Sequence, residues 1–331
     1  MLFRFENRMF YWYNPAMAHI SRNDVDGRRL KNFIFAGSKW LSHHRFLLDK
    51  INYFPVPDGD TGANMYLTLT AVCAALRNVK DPRSAGETAK AAAMGALMGS
   101  KGNSGIILAQ YFRGFSESLG GKKIIQGRDI AGALACAAKT AKAGVLNPRE
   151  GTILSVARDG AAACAKYAKG KSRADLAQVL TDFYNAASAS LEKTRNTLKE
   201  LKKAGVVDAG GQGLVLMFEG MLRLAAAKSV KKAPKIRMKT GPLGGKTAAV
   251  KHRFCTSFLL RRKRGASDAD IIKTLKYLGD SIVVDKGINN ISKLHAHTNA
   301  PDSLLEEAAK LGVVENVSIE DIARQVKARS R

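Results

Sequence analysis

The chain contains 331 residues with a formal net charge of +26, 46% hydrophobic residues and 25% charged residues. This composition is typical of a soluble globular protein, and the length suggests two domains by the usual prior. No run of about 18 uninterrupted apolar residues occurs, which argues against a membrane-spanning helix. The four cysteines have no close spacing, so we expect reduced thiols in a cytoplasmic protein.

The positive charge is densest between Lys228 and Arg264, where 13 Lys or Arg residues occur and no Asp or Glu. Nucleic-acid binding normally combines such a patch with a recognition fold or with stacking aromatic residues, and this segment offers only Phe254 and Phe258. We therefore expect a solvated, self-repelling linker and no nucleic-acid partner. Weak attraction to an anionic membrane surface is the alternative, so we expect membrane contact to be peripheral at most.

Charges interrupt the apolar residues at positions 1–9 too often for a secretory signal, and we interpret residues 1–23 as an N-terminal extension. From residue 24 to residue 227, apolar residues recur at intervals of three and four, which indicates an all-α domain. The predicted helices cover residues 26–50, 62–78, 84–118, 128–144, 151–168, 174–191 and 210–227.

Residues 54–65 read Phe-Pro-Val-Pro-Asp-Gly-Asp-Thr-Gly-Ala-Asn-Met. Pro55 and Pro57 remove backbone donors and fix φ, so the approach to the two carboxylates Asp58 and Asp60 is rigid. Carboxylates that are two positions apart in a loop suit a hard cation, and Mg²⁺ is usually held by one or two carboxylates plus nucleotide phosphates. A solvated turn is the alternative interpretation of the isolated Asp-Gly-Asp string.

Two further glycine-rich motifs lie in the predicted helical domain. Residues 95–105 read Gly-Ala-Leu-Met-Gly-Ser-Lys-Gly-Asn-Ser-Gly, and residues 207–213 read Val-Asp-Ala-Gly-Gly-Gln-Gly. Small residues allow a backbone to approach a ligand closely, and amides and hydroxyls can bind anionic oxygens. Taken alone, the first motif equally fits a helix–helix contact made by small residues.

Residues 228–252 contain Pro and Gly among the basic residues and are predicted to be a linker. The remaining residues, 253–331, predict a small α/β domain of βαββαβα order. Its predicted strands cover 254–260, 281–284, 291–297 and 313–319, and its predicted helices cover 268–278, 301–311 and 319–329.

The string Leu-His-Ala-His-Thr at 294–298 lies on one of these strands, so His295 and His297 point to the same face. Cys255, on the first strand, completes a Cys/His/His set if the two strands are neighbours. Zn²⁺ accepts this mixture of ligands. The spacing alone also fits two strand histidines beside an inert buried thiol.

The strings Pro-Val-Pro-Asp-Gly-Asp-Thr-Gly and Gly-Asn-Ser-Gly, with the later Asp-Ala-Gly-Gly, resemble the nucleotide-binding L-subunit domain of dihydroxyacetone kinases. The resemblance extends from about Asp24 to about Ser318. It favours the branch found in the A subunit of bacterial fatty acid kinase, whose middle domain has a similar Cys-Thr strand and His-x-His-Thr-Asn string. It implies an eight-helix barrel of the DhaL type with ATP or ADP bound at one end through Mg²⁺, followed by the small α/β domain.

The resemblance assigns roles to individual residues. Asp58 and Asp60 match the Mg²⁺ ligands at the catalytic centre. Dihydroxyacetone kinases have another Asp at the position of Tyr53, whereas Asn52 matches the fatty acid kinase branch and is the third candidate ligand. Cys255, His295 and His297 match zinc ligands, which we expect to be structural. Candidates for contacts to phosphates or metal-bound water are Thr61, Asn64, Ser100, Asn103 and Ser104, with Asp208 and Gly210 closing the nucleotide site.

The implied reaction is phosphoryl transfer from ATP to a fatty acid, which gives an acyl phosphate for phospholipid synthesis. The implied partner is a DegV-type protein that presents the acid, and the family suggests a homodimer. A carboxylate acceptor is already ionised at neutral pH and needs no general base. Full-length A subunits continue into a C-terminal domain, whereas this chain stops at Arg331. We therefore expect a separately encoded domain, a truncated paralogue or a different way of recruiting the acceptor.

Two alternatives stay open. An ADP/ATP-binding subunit of a dihydroxyacetone kinase is the first, and both Tyr53 and the second domain argue against it. The second is a non-catalytic nucleotide-binding regulatory module. The absence of the usual C-terminal domain favours that module, and the presence of Asp58, Asp60 and Asn103 argues against it.

Overall fold

The computed structural model describes residues 23–171, 173–226, 251–285, 287 and 290–329, and for 268, 328 and 329 it describes the backbone alone. Most of the predicted N-terminal extension and linker therefore lies outside the described residues. The first part of the described chain is helical. Its elements are α1 (Gly27–Lys50), α2 (Thr61–Arg77), α3 (Ala85–Gly99), α4 (Gly102–Ser118), α5 (Gly127–Ala143), α6 (Ile153–Ala168), α7 (Leu176–Thr197), α8 (Lys199–Ala204) and α9 (Ala209–Ala225).

Side-chain caps fix where several of these helices begin. The Asp26 carboxylate accepts a hydrogen bond from Arg29 N at 2.8 Å at the start of α1, and Ser84 Oγ accepts one from Glu87 N at 3.2 Å at the start of α3. Each such cap satisfies one of the backbone donors left open at a helix N-terminus and contributes about 1 kcal/mol. The helix starts are thus defined locally, which in turn fixes where the intervening loops emerge.

One apolar core joins the helices. Trp40 and Phe183 are fully buried in it, and the rings of Phe183 and Phe218 stack with centroids 3.7 Å apart. The alanine-rich helices bury small side chains, as in α3, so that neighbouring helices approach closely. Each large side chain that is buried in this way contributes about 1.5–3 kcal/mol, and the core holds the helix ends in a rigid arrangement.

The helices differ from the prediction in two respects. The predicted helix over 84–118 is interrupted, because Ser100 and Lys101 are extended and Gly102 adopts a positive φ of 59°. The short helix α8 was not predicted. Closure of the helices into an eight-helix barrel stays a prediction. Among the described residues, no helix is both long enough and apolar enough to cross a bilayer.

The second part of the described chain contains a four-stranded sheet. Its elements are β1 (Phe254–Arg262), α10 (Asp268–Leu275), β2 (Asp280–Asp285), β3 (Ile291–Thr298), α11 (Pro301–Leu311), β4 (Gly312–Asp321) and α12 (Ile322–Arg329). The predicted βαββαβα order is confirmed. The strand order is β2-β3-β1-β4 and all neighbours are antiparallel, so the domain is of the α+β type rather than a parallel α/β domain.

The two faces of this sheet differ in chemistry. One face carries Phe258, Leu260 and Leu294, which pack with α10 and α11 in a second apolar core. Side chains alternate between faces along a strand, so the intervening residues, Cys255 and His295 among them, point to the other face. That face lies towards the helical part of the chain, and α4 contacts β2 and β3.

Candidate functional site

The loop between α1 and α2 is organised around the side chain of Asn52, which is 1% exposed. Its Oδ1 accepts hydrogen bonds from Asp60 N at 3.1 Å, Thr61 N at 3.0 Å and Thr61 Oγ1 at 2.9 Å, and its Nδ2 donates to Val56 O at 3.0 Å. The side chain therefore ties the beginning and the end of the Asp-Gly-Asp loop together.

This arrangement bears on the prediction that Asn52 is a direct Mg²⁺ ligand. A carbonyl oxygen has two lone pairs, and Oδ1 of Asn52 already accepts three hydrogen bonds from the protein. Direct coordination of a cation would require these bonds to break. The hydrogen bonds of Asn52 favour a scaffold role that fixes the loop, and its role as a direct ligand stays a prediction.

Asp58 and Asp60 both line the same pocket. Burial raises the pKa of Asp60, and the nearby carboxylates of Glu320 and Asp49 raise it further, against hydrogen bonds to Asn64 and Asp58. Carboxylates that are crowded together in a buried site repel one another unless a cation neutralises them. The chemistry of this site therefore fits a divalent cation with oxygen ligands, as Mg²⁺ requires.

Two helices begin at the pocket. α2 begins at Thr61 and α4 begins at Gly102. Their N-cap residues are Asp60 and Lys101, and neither side chain makes a capping hydrogen bond. Gly102, Asn103 and Ser104 line the pocket together with Thr61. Helix N-termini carry a partial positive charge, so two of them that face one pocket favour phosphate groups. At α2, however, Thr61 N and Ala63 N already donate to Asn52 Oδ1 and Asp49 Oδ1, so direct N–H contacts to phosphate fall to α4.

The Gly-Asn-Ser-Gly turn fits closely against α2. A Cβ atom at Gly102 would lie 2.3 Å from Asn64 Nδ2, and the positive φ there also favours glycine. Thr61 Oγ1 and Ser104 Oγ are 3.2 Å apart, which joins the two helix starts directly. Both motifs predicted from the sequence therefore form one wall of the pocket.

The opposite wall comes from the sheet. Cys255 pairs with His297 across β1 and β3, and the ligand atoms of Cys255, His295 and His297 all lie within 4.8 Å of one another. Cys255 Sγ is 3.5 Å from His295 Nδ1, close to the separation of about 3.5 Å that Zn²⁺ bonds of 2.0–2.3 Å imply. His295 Nε2 is buried without a hydrogen-bond partner among the described residues. The Cys/His/His set therefore fits a zinc ion.

Electrostatics favour the metal-binding forms of the imidazoles. Burial lowers the pKa of His295 well below its usual range and that of His297 to about 4, so both rings are neutral at pH 7. Neutral imidazole is the form that binds a metal. Asp280 lies behind His297, with Oδ1 4.0 Å from His297 Nδ1, where a carboxylate can orient a metal-binding ring.

The two ligand sets share one pocket. Its lining comprises Asn52, Pro55, Val56, Asp58, Asp60, Thr61, Gly102, Asn103, Ser104, Cys255, His295 and His297. Burial raises the pKa of Cys255 well above its usual range, and the carboxylates of Glu320, Asp60 and Asp58 raise it further. The thiol of the second domain is thus electrostatically linked to the carboxylates of the first.

Several of the predicted site residues lie outside this lining. Ser100 is buried and donates to Leu97 O at 3.1 Å, and Asn64 supports the pocket from behind Gly102. The Asp208 carboxylate caps α9 by accepting from Gly211 N at 2.7 Å, and Gly210 packs near Ile153. A contact of any of these four residues with nucleotide stays a prediction.

Sequence reasoning missed three carboxylates around the pocket. Glu320 lies opposite Cys255 in the β1–β4 register and 3.4 Å from Lys101 Nζ. Asp49 accepts from Ala63 N at 3.0 Å, and Asp280 is an outer partner of His297. Only Asp49, which precedes the Asp-Gly-Asp loop at the end of a predicted helix, carried a local signal. Glu320 and Asp280 become recognisable only when strand pairing is known.

The fold combines a helical domain with a second, sheet-bearing domain over one pocket, and each part matches a known family. Residues 55–223 match the family described as "DAK2 domain", and residues 251–329 match the FakA-like middle domain of fatty acid kinase. The chain belongs to the DAK2 domain family and has in addition a FakA-like middle domain. The predicted resemblance is confirmed.

Curated relatives cover nearly the whole chain. Protein YloV of Bacillus subtilis is 34% identical over 319 residues, which is 92% of this chain and 57% of YloV. An uncharacterized protein of Staphylococcus saprophyticus is 34% identical over 316 residues, which is 91% of this chain and 56% of that protein. The chain thus spans little more than half the length of these relatives.

Among solved structures, the chain is similar to the dihydroxyacetone kinase of C. freundii. The structure of that enzyme in complex with AMP-PNP and Mg²⁺ has a TM-score of 0.46 and 17% identity, and the match covers 62% of this chain and 36% of that one. The native form gives a TM-score of 0.45 with 17% identity, covering 59% of this chain and 34% of that one.

Proposed function

We propose that the chain transfers the γ-phosphoryl group of ATP to the carboxylate of a fatty acid and so produces an acyl phosphate. The observation that carries this proposal is the shared pocket. It combines Asp58 and Asp60 of the DAK2 domain with Cys255, His295 and His297 of the FakA-like middle domain.

The donor side of the reaction uses the first wall of the pocket. Asp58 and Asp60 would hold Mg²⁺, and the N-terminus of α4, at residues 102–104, would bind phosphate oxygens through its backbone N–H groups. Bound Mg²⁺ supplies charge neutralisation on the transferring phosphoryl group. Asn52 holds the two carboxylates in register by its hydrogen bonds to Asp60 and Thr61. Phosphoryl transfer depends mainly on such positioning.

The acceptor needs little activation. A fatty acid is ionised at neutral pH, so its oxygen attacks the γ-phosphorus directly and no general base is required. A bond forms between the carboxylate oxygen and the γ-phosphorus while the bond to the bridging oxygen breaks and ADP leaves. No proton is exchanged in this step. Asp58 and Asp60, the carboxylates of the pocket lining, can therefore serve as metal ligands, because no general base is needed.

The location of the Cys/His/His set favours a role in the site over the purely structural zinc that the sequence suggested. Zinc bound there would supply a second positive centre for the anionic acceptor or product. Asp280 lies behind His297 on this wall, with Oδ1 4.0 Å from His297 Nδ1.

The fatty acid, its DegV-type carrier and a homodimer enter through the resemblance to fatty acid kinase. The relatives extend well beyond the matched region, so a further domain that engages the carrier is part of the proposal. The carrier would bring the carboxylate to the pocket, near which Glu320 interacts electrostatically with Asp60 and pairs with Lys101.

The test is ATP turnover by the purified chain with Mg²⁺ and a fatty-acid-loaded DegV-type protein, with dihydroxyacetone as the hydroxyl acceptor in a parallel assay. Acyl phosphate formation that depends on the fatty acid is expected, and Asp58→Ala should abolish it together with Mg²⁺-dependent nucleotide binding. Asp81→Asn is the matched control, because Asp81 is exposed and lies outside the pocket lining.

Turnover in the dihydroxyacetone assay, with no turnover in the fatty acid assay, would contradict the proposal that the acceptor is a carboxylate. ATP affinity at the wild-type level in Asp58→Ala would refute the metal assignment. Nucleotide binding without turnover of either acceptor, when the further domain of the relatives is supplied as a separate protein, would contradict catalysis by this chain.

A further inference from the structure

The sheet of the second domain is extended by a segment of the first. Val145 and Val283 form an antiparallel bridge, with hydrogen bonds from Leu146 N to Ile282 O at 3.2 Å and from Val284 N to Gly144 O at 3.0 Å. The segment 144–146, which follows α5, thus pairs with the outer edge of β2. Leu146 also packs against the core of the second domain. A sheet edge is a template for such pairing.

Side chains of α4 fasten the same edge. Gln110 is fully buried and its Nε2 donates to Val284 O at 2.9 Å. Arg113 Nε donates to Asp285 Oδ1 at 2.9 Å, and the side chains of this ion pair are only 11% and 1% exposed. A buried, charge-assisted hydrogen bond is strong and geometrically specific, unlike an ion pair on the surface.

The helix that makes these contacts is the one that begins at the pocket. Ser104 lines the pocket, and Gln110 and Arg113 lie six and nine residues further along α4. At a rise of about 1.5 Å per residue, the docking contacts are about 9–14 Å from the phosphate-binding turn on one rigid element. A displacement of β2 relative to α4 would therefore move His295, the register partner of Val283, relative to Ser104.

We propose that a docking surface holds the Cys/His/His wall of the pocket over the opposite wall, which the starts of α2 and α4 form. This docking surface consists of segment 144–146, Gln110 and the Arg113–Asp285 pair. Arg113 and Asp285 are then positioning residues, since they line neither wall. Docking is a property of the fold, whereas its effect on turnover rests on the proposed function.

The experiment places a protease recognition sequence between residues 226 and 251 of the full chain, which is folded and then cleaved. Association of the two halves is measured by sedimentation for the wild type, Arg113→Ala, Asp285→Ala and the double variant. Arg261→Ala is the matched control, because Arg261 forms an exposed ion pair with Glu315 within the second domain. ADP affinity and zinc content are measured on each uncleaved protein and report whether each half is folded.

The wild-type halves and those of the control are expected to remain associated. Each single variant is expected to weaken association by about tenfold or more, because Arg113→Ala leaves the buried Asp285 carboxylate unpaired, and Asp285→Ala removes the partner of Arg113 across the surface and leaves it paired only with Glu117 on its own helix. ADP affinity and zinc content should stay at wild-type values while turnover falls. Wild-type halves that separate on cleavage, or variants that associate as well as the wild type, would overturn the proposal.

A covalent rescue separates docking from folding. Val145 and Val283 are a non-hydrogen-bonded antiparallel pair, so their Cα atoms are about 4.5 Å apart, which suits a disulfide. In the Arg113→Ala background, oxidised Val145→Cys/Val283→Cys should recover turnover and the reduced protein should not. Lost turnover in both forms, with ADP affinity and zinc content intact, would show that Arg113 acts otherwise than by docking. Absence of turnover in the wild type would instead be a failure of the proposed function and would leave the association result valid.

Discussion

Replacement of Asn52 by alanine tests whether this residue is a scaffold or a metal ligand. The substitution removes the acceptor of three hydrogen bonds, from Asp60 N, Thr61 N and Thr61 Oγ1, and the donor to Val56 O. At about 1 kcal/mol net for each of the three donors left unpaired, Asn52→Ala should lower the free energy of unfolding by about 3 kcal/mol.

The assay is chemical denaturation in the presence of EDTA, without nucleotide. A scaffold role predicts the full loss under these conditions, because the hydrogen bonds do not depend on a cation. Asn185→Ala is the control, since Asn185 is exposed and should change stability by less than about 0.5 kcal/mol.

A direct ligand role predicts the opposite dependence. Without metal, the loss of a ligand side chain would leave stability almost unchanged, and the defect would emerge only when Mg²⁺ is added. Wild-type stability of Asn52→Ala in EDTA would therefore refute the scaffold assignment.

Three further predictions concern zinc, pH and packing. Cys255→Ala should lose zinc measured by a chelator competition assay, whereas Cys136→Ala should retain it; equal zinc content in both variants would exclude the Cys/His/His site. Burial raises the pKa of Asp208 from its usual 3.8 to about 6. The contribution of protonated Asp208 to the free energy of unfolding is therefore fully present below about pH 4 and is lost as the pH rises through 6. Asp208→Asn, which preserves the helix cap, should remove about 3 kcal/mol of this pH-dependent loss in denaturation curves; an unchanged pH profile would contradict the burial argument. A Cβ at Gly62 would lie 2.0 Å from Arg45 O, whereas one at Gly132 would meet nothing within 4 Å. Gly62→Ala should therefore lower the melting temperature and Gly132→Ala, inside α5, should raise it; the reverse order would contradict the packing at the start of α2.

The sequence predicted those parts of the site that depend on local spacing. Asp58 and Asp60 are held by a short proline-bearing loop, and His295 and His297 share a face because strand side chains alternate. The prediction that Cys255 lies beside the two histidines required only that β1 and β3 pair, and the two strands do pair. The element order of the second domain followed from turn residues and hydrophobic alternation.

The convergence of the two ligand sets did not follow from the sequence. It depends on how the free face of the sheet docks on α4, through contacts such as Arg113–Asp285 between residues 172 positions apart. Asn52 was assigned to the metal because it matches the fatty acid kinase branch, and only the hydrogen-bond geometry reveals that its oxygen already accepts three hydrogen bonds. The break between α3 and α4 carried a local signal that the prediction overlooked, since Gly99 lies on one side of it and Gly102 and Asn103 on the other, and these residue types disfavour a helix.

The central claim is that both ligand sets act in one pocket. Crystals of the chain grown with Mg²⁺ and a non-hydrolysable ATP analogue, measured above and below the zinc absorption edge, test it directly. The account predicts an anomalous zinc peak between Cys255, His295 and His297, in the same pocket as triphosphate bound at Asp58 and Asp60. Nucleotide bound there with the Cys/His/His set turned away, or no zinc peak at that set, would contradict it.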